Sequence, residues 1–198
     1  MSELPGETPF GNPPEPIQGG GGFRQEFKHQ NISARVPEKV GRGVYATGAI
    51  VLQGPNEFAV DFVLNLAKPA QVVSRVIIPP RVFGQTVGAM RENLQKYTDR
   101  WGPPPALPPQ PKPAVPPTIQ EIYDDLKMSD DILPGAYCNA VMIGHSPAEF
   151  VIDFIANGYP RSTVSARVLV AAPTLPRILE TLNNSYQQYL KKKAEDGE

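Results

Sequence analysis

The strongest constraint in this chain is a stretch that it contains twice. Gly43, Tyr45, Pro55, Glu57, Phe58, Asp61 and Phe62 recur as Gly135, Tyr137, Pro147, Glu149, Phe150, Asp153 and Phe154, every pair 92 positions apart. The offset runs on without a gap, carrying Asn65 onto Asn157, Arg75 onto Arg167, Val76 onto Val168 and Tyr97 onto Tyr189. A constant offset over a whole unit marks internal duplication, so the chain is expected to fold as two similar units.

Outside the copies the composition changes. Residues 1–22 carry Pro5, Pro9, Pro13, Pro14 and Pro16, followed by Gly19-Gly20-Gly21-Gly22. Such a segment has little apolar surface to set against the entropy of ordering it, and reads as a disordered tail. Residues 102–118 form a proline-rich linker of semi-rigid polyproline type. The expected organisation is a tail at 1–22, a first unit at 23–101, the linker at 102–118, a second unit at 119–193 and a frayed end at 194–198.

Within the first unit, alternation of Ile32, Ala34 and Val36 predicts a strand over 27–36, and Val44, Ala46, Gly48, Ile50 and Leu52 predict a second over 44–52. Gly54-Pro55-Asn56 is turn chemistry. The third strand, 57–66, places Phe58, Val60, Phe62, Leu64 and Leu66 on one side and Glu57, Ala59, Asp61, Val63 and Asn65 on the other. A fourth strand spans 72–78. Pro79-Pro80 then suits a helix start, and Phe83, Val87, Met90, Leu94 and Tyr97 line one helical face. Gly84 and Gly88 weaken that helix by about 1 kcal/mol each relative to alanine.

The second unit repeats this order from residue 136, ending in a helix faced by Leu175, Leu179, Leu182, Tyr186 and Tyr189. Its beginning differs. Residues 119–128 show helical spacing at Ile119, Ile122, Tyr123 and Leu126, so the first strand is either lost or replaced by a short helix.

The predicted class is α+β: two tandem β-β-β-β-α units, each an antiparallel sheet with one amphipathic helix. One helix covers one sheet face, and the other face would still carry Ala49, Val51, Ala59, Val63, Val73 and Ile77. Exposing it costs roughly 25 cal/mol per Å². The units are therefore expected to pair as an intramolecular pseudo-dimer, and self-association into a homo-oligomer would follow the same logic.

The motif Gly-x-Tyr, then Pro-x-Glu-Phe-x-x-Asp-Phe, then Val73-Ser74-Arg75-Val76 ahead of a helix with Asn93 and Tyr97, resembles the domain-of-unknown-function family DUF3467. The second copy keeps the motif but departs from it at Ser165-Ala166. The resemblance implies a fold and no activity. In element order alone the unit is also similar to the export chaperone SecB, an analogy of fold only.

Candidate chemistry is sparse. Asp61 and Arg75 are equidistant from Lys68, and Asp153 and Arg167 from Pro160, so each hairpin sets its acid opposite its arginine. They are the candidate binding residues, read either as cross-strand ion pairs worth about 0.2–1 kcal/mol, or as a buried pair at the interface between the units, or as an anionic-ligand site at the arginine. Tyr45, Glu57, Phe58 and Phe62, with Tyr137, Glu149, Phe150 and Phe154, are the motif positions. Neither His29 nor His145 has a second histidine or cysteine nearby, Cys138 is a lone core-type cysteine, and no nucleophile triad, phosphate loop or HExxH run occurs. No metal or cofactor is expected.

A net charge of −1 gives no field for nucleic acid, and no apolar window spans a bilayer. With no secretory signal at the start, a cytoplasmic protein is the expectation. The functional expectation is a non-enzymatic binding or scaffold protein, a protein- or peptide-binding adaptor or small chaperone-like module. The alternative is a ligand- or nucleic-acid-associated accessory module using the Asp/Arg pairs.

Overall fold

The computed structural model describes residues 34–109, 115, 117–158, 160–195 and 197. The expected tail, most of the expected first strand and part of the linker lie outside the described residues. The first half contains α1 (Glu38–Gly41), β1 (Val44–Ala46), β2 (Gly48–Gln53), β3 (Phe58–Leu64), β4 (Ala70–Ile78) and α2 (Pro80–Trp101). The second contains α3 (Ile119–Asp124), β5 (Leu126–Lys127), β6 (Ala136–Tyr137), β7 (Ala140–His145), β8 (Glu149–Ala156), β9 (Thr163–Ala171) and α4 (Leu175–Glu195). The class is α+β, with mixed sheets.

The stretch expected as one strand over 44–52 is two strands. Thr47 stands between β1 and β2, its hydroxyl donating to the Val63 carbonyl (3.1 Å) and accepting from the Asn65 amide (2.9 Å). Asn139 fills the equivalent position in the second half, donating to the Asn157 carbonyl and accepting from its amide. Such side chains offer the backbone a partner other than the ladder, and the chain changes sheet there.

Beyond the break, β2 pairs antiparallel with β3, and β3 with β4. Before it, β1 joins the other half and runs parallel to β9, with Val44 opposite Val168. β6 reciprocates on β4, with Ala136 opposite Val76. Arg35 bridges Thr163, and β5 repeats that pairing on β4 through Lys127 opposite Gln71. The two sheets run β1-β9-β8-β7 and β2-β3-β4-β5, with β6 also on β4.

Two expectations change. The sheets are not purely antiparallel, because only hairpin neighbours must be antiparallel and the exchanged strands arrive from across the molecule. Nor is the start of the second half wholly without a strand. A short helix does replace it over Ile119–Asp124, but Leu126–Lys127 retains the pairing that Arg35 makes.

Alternation along β3 sends Phe58, Val60 and Phe62 inward, all fully buried. It fails after Phe62, where the register slips and Val63 pairs with Val72. Leu66, expected inward, lies beyond the strand and is 73% exposed. The supposed spare face is not one face either. Ala49 and Val51 stand opposite Phe62 and Val60 on the inner side, whereas Ala59 and Ile77 pair on the outer side. The break at Thr47 resets the alternation that the sequence pattern carried through.

Phe83, Val87 and Met90 of α2 are buried. At roughly 1.5–3 kcal/mol per buried side chain, they outweigh the about 1 kcal/mol that each helical glycine costs. Gly84 also admits a close approach, since the Tyr186 phenol of α4 occupies the space a Cβ would take. Each helix spans both halves. Phe83 stacks on Phe58 of its own half at 3.9 Å, while Tyr97 packs on Phe150 of the other at 5.3 Å and donates to the Pro147 carbonyl at 2.8 Å. Tyr189 of α4 returns the ring contact onto Phe58 at 5.3 Å. No helix among the described residues is long and apolar enough to cross a membrane.

Gly43 (φ 68°) and Gly135 (φ 74°) open the two exchanged strands in the left-handed region. A Cβ on Gly43 would run into Leu169, and one on Gly135 would sit 2.8 Å from Ile77 Cγ1. Gly43→Ala and Gly135→Ala should each cost roughly 2–4 kcal/mol, combining backbone strain with overpacking. Denaturant melts showing a loss under about 0.5 kcal/mol, the range of an ordinary surface change, would contradict the exchange as drawn.

Candidate functional site

The β3–β4 hairpin sets Asp61 opposite Arg75, and the β8–β9 hairpin sets Asp153 opposite Arg167. Both pairs are bidentate. Arg75 Nε and Nη2 donate to the Asp61 carboxylate at 2.6 and 2.7 Å, and Arg167 donates to Asp153 at 2.7 and 2.8 Å. Asp61 is 0% exposed, so of the readings the sequence left open the buried pair fits, and the solvated strand-face pair does not. The hydrogen bonds that the guanidiniums donate to the carboxylates raise both arginine pKa values above the usual range, against the opposing effect of burial. The cations are locked in their charged form.

Each arginine has a third arm that reaches the other half. Arg75 Nη1 donates to the Leu133 carbonyl at 3.2 Å, and Arg167 Nη1 to the Gly41 carbonyl at 3.1 Å. Leu133 and Gly41 are equivalent positions, each two residues ahead of the glycine that opens an exchanged strand. Each pair therefore acts as a clamp, closing its own hairpin and gripping the segment that crosses from the opposite half.

The clamps differ in one partner. The Tyr123 hydroxyl of α3 donates to Asp61 Oδ2, and burial first, then this bond, push the Tyr123 pKa up to about 12. Thr118 and Glu121 close a capping box at the start of α3, yet the helix has no buried residue, so Tyr123 is its tie to the body. Sequence reasoning missed this contact, because the offset matches Tyr123 with Asn31 and shows no shared motif.

Between the clamps lies an open cleft of about 290 Å³. Every residue lining it has its counterpart 92 positions away also in the lining, among them Gly43 with Gly135, Arg75 with Arg167, and Lys39 with Asp131. It thus sits where the halves meet, and brings both arginines to one place while leaving both aspartates behind them.

The other motif residues divide by role. Phe58, Phe62, Phe150 and Phe154 are core, and Phe62 meets Phe154 at 5.5 Å. Tyr45 and Tyr137 are 40% and 52% exposed, set in register beside Leu169 and Ile77 on the outer sheet faces. Glu57 folds over Gly54 at its turn, the amide of Glu149 is held by Ser146 Oγ at 3.3 Å, and neither glutamate lines the cleft.

Cys138 is buried, which pushes its thiol up to about 12. His145 lies among the rings of Tyr97, Trp101 and Phe150. His29 lies outside the described residues. Among the described residues no three His, Cys, Asp or Glu side chains converge as metal ligands would.

Removing one partner of a buried pair strands the other charge, so Asp61→Asn should cost about 3 kcal/mol or more. Asp153→Asn, whose arginine is the more exposed of the two, should cost less, about 1–2 kcal/mol. Urea melts giving equal losses would oppose this ranking. Tyr123 supplies a second prediction, in alkali. Above the ordinary phenol pKa of about 10 the unfolded chain releases this proton, while the folded chain holds it to about 12. The folded state then binds more protons, and stability falls as pH rises through that window. Melts of Tyr123→Phe between those two values should show a shallower fall than wild type, and identical slopes would count against the Asp61 bond.

No curated protein and no solved structure is significantly similar to the chain. The family described as "Protein of unknown function (DUF3467)" matches it twice, over residues 9–104 and again over 108–198. The chain belongs to the DUF3467 family, as two tandem copies of its domain.

Proposed function

We propose that the chain is an intramolecular pseudo-dimer that works as a non-enzymatic, cytoplasmic binding or scaffold protein, taking up an extended protein or peptide segment. Support for the pseudo-dimer comes from equivalent residues that meet each other, Phe62 with Phe154, and Arg91 with Asn183 at 2.9 Å. A residue touching its own counterpart is what a two-fold axis generates.

The observation that carries the binding reading is the state of the sheet edges. β2 (Gly48–Gln53) and β7 (Ala140–His145) each end a sheet, each is six residues long, and neither contains Lys, Arg, Asp, Glu or Pro. Proteins commonly guard an open edge with such residues, because its unpaired N–H and C=O groups template another strand. Edges of this length without those residues suit strand addition, although α4 contacts β2 and α2 contacts β7. The clamps argue against the alternative of an anion or nucleic-acid site, since three donors of each guanidinium already have partners inside the protein.

Hydrogen exchange with and without an unfolded polypeptide tests the reading. Slowed exchange confined to β2 or β7, with little dependence on salt, is the expected result. Binding of single-stranded nucleic acid that collapses steeply with salt, with no protection at either edge, would replace this reading with the alternative.

A further inference from the structure

The cleft between the clamps repeats its shape across the two halves but not its charge. Its guanidiniums are neutralised by Asp61 and Asp153. The remaining charged residues in its lining are Lys39 and Asp131, which are equivalent positions of opposite sign. Both are exposed, and neither makes an ion pair or hydrogen bond with another described side chain. Beside them the lining carries aliphatic side chains from both halves, Val40 and Val44 from one and Ile132 and Ala136 from the other.

A simple anion would gain Lys39 and meet Asp131, and a simple cation would do the reverse. A ligand with one charge of each sign and an apolar centre satisfies both ends. The volume of about 290 Å³ lies at the lower limit of ligand pockets and admits only a few residues. We infer that this cleft binds a short extended peptide segment with an acidic side chain at Lys39, a basic side chain at Asp131 and an apolar residue between them. The inference rests on the reading of the chain as a peptide-binding protein and names which peptide its central cleft takes. The similar walls accept the segment in either direction, and the lysine–aspartate difference, the one change of charge among the paired lining residues, chooses one, which is specificity by charge placement on a related shape.

The test uses the full chain, isotope-labelled, titrated with three capped peptides of sequence Glu-Leu-Lys, Lys-Leu-Lys and Glu-Leu-Glu. The mixed peptide should shift the Gly43 and Gly135 amides and bind at least about threefold more tightly than either control, a gain of the size exposed charge pairs give. The paired variant Lys39→Asp with Asp131→Lys should keep that preference and turn the peptide round. A spin label on its glutamate end should then broaden signals around position 131 instead of position 39. Equal binding of all three peptides at the cleft, or an unchanged orientation in the paired variant, would overturn the inference. Shifts confined to β2 and β7 would overturn it while leaving the binding function standing, and no binding of peptide or unfolded polypeptide anywhere would overturn both.

Discussion

The architecture depends on an arginine that serves both halves at once. Arg75 grips Asp61 with two donors and the Leu133 carbonyl with a third; Arg167 does the same with Asp153 and the Gly41 carbonyl. Charge-assisted bidentate bonds are strong individually, but a buried ion pair gains little net stability once desolvation is subtracted. The stability resides in the inner sheet faces and the helices laid across them, where Phe58, Phe83, Phe150 and their neighbours are wholly buried. The clamps contribute specificity. A hydrophobic core tolerates several ways of joining two halves, whereas a guanidinium with three fixed partners accepts one.

Placing both halves in one chain frees them to diverge, and they have done so around a shared frame. Gly43 and Gly135, Asp61 and Asp153, and Phe62 and Phe154 keep their roles. Elsewhere one half has taken on a feature the other lacks. Tyr123 seals Asp61 with a phenol, and His145 gathers Tyr97, Trp101 and Phe150 where the equivalent of His145 is Gln53 and that of Trp101 is Lys193. Lys39 against Asp131 is the same kind of divergence, placed on the cleft itself. A homodimer of identical chains could hold none of these differences.

Much of the local structure was legible in the residues. Turn-centred spacing set Asp61 against Arg75 and Asp153 against Arg167, and the helical faces of Phe83, Val87 and Met90 and of Leu182 read directly from periodicity. The failures share a cause. Strand 44–52 alternates without a fault in the sequence, and nothing local reveals that Thr47 will bond to Val63 and Asn65 instead of continuing the ladder. The register slip after Phe62 and the exposure of Leu66 follow from how β3 meets β4, not from β3 alone. Tyr123 escaped notice because its partner lies across the molecule and its own copy-mate is an asparagine.

By itself, then, the sequence determined that there are two copies, where their hairpins turn, which acid faces which arginine and which helix faces are apolar. These depend on residues a few positions apart, whose periods of two and 3.6 are written directly along the chain. Only the tertiary structure decided that the first strand of each half joins the last strand of the other, that Asp61 is sealed from water, and that both arginines border one cleft. Contacts such as Arg167 with Gly41 join residues 126 positions apart. Which free strand side such a distant segment finds is settled by the packing of the assembled sheets, and no local pattern carries that information.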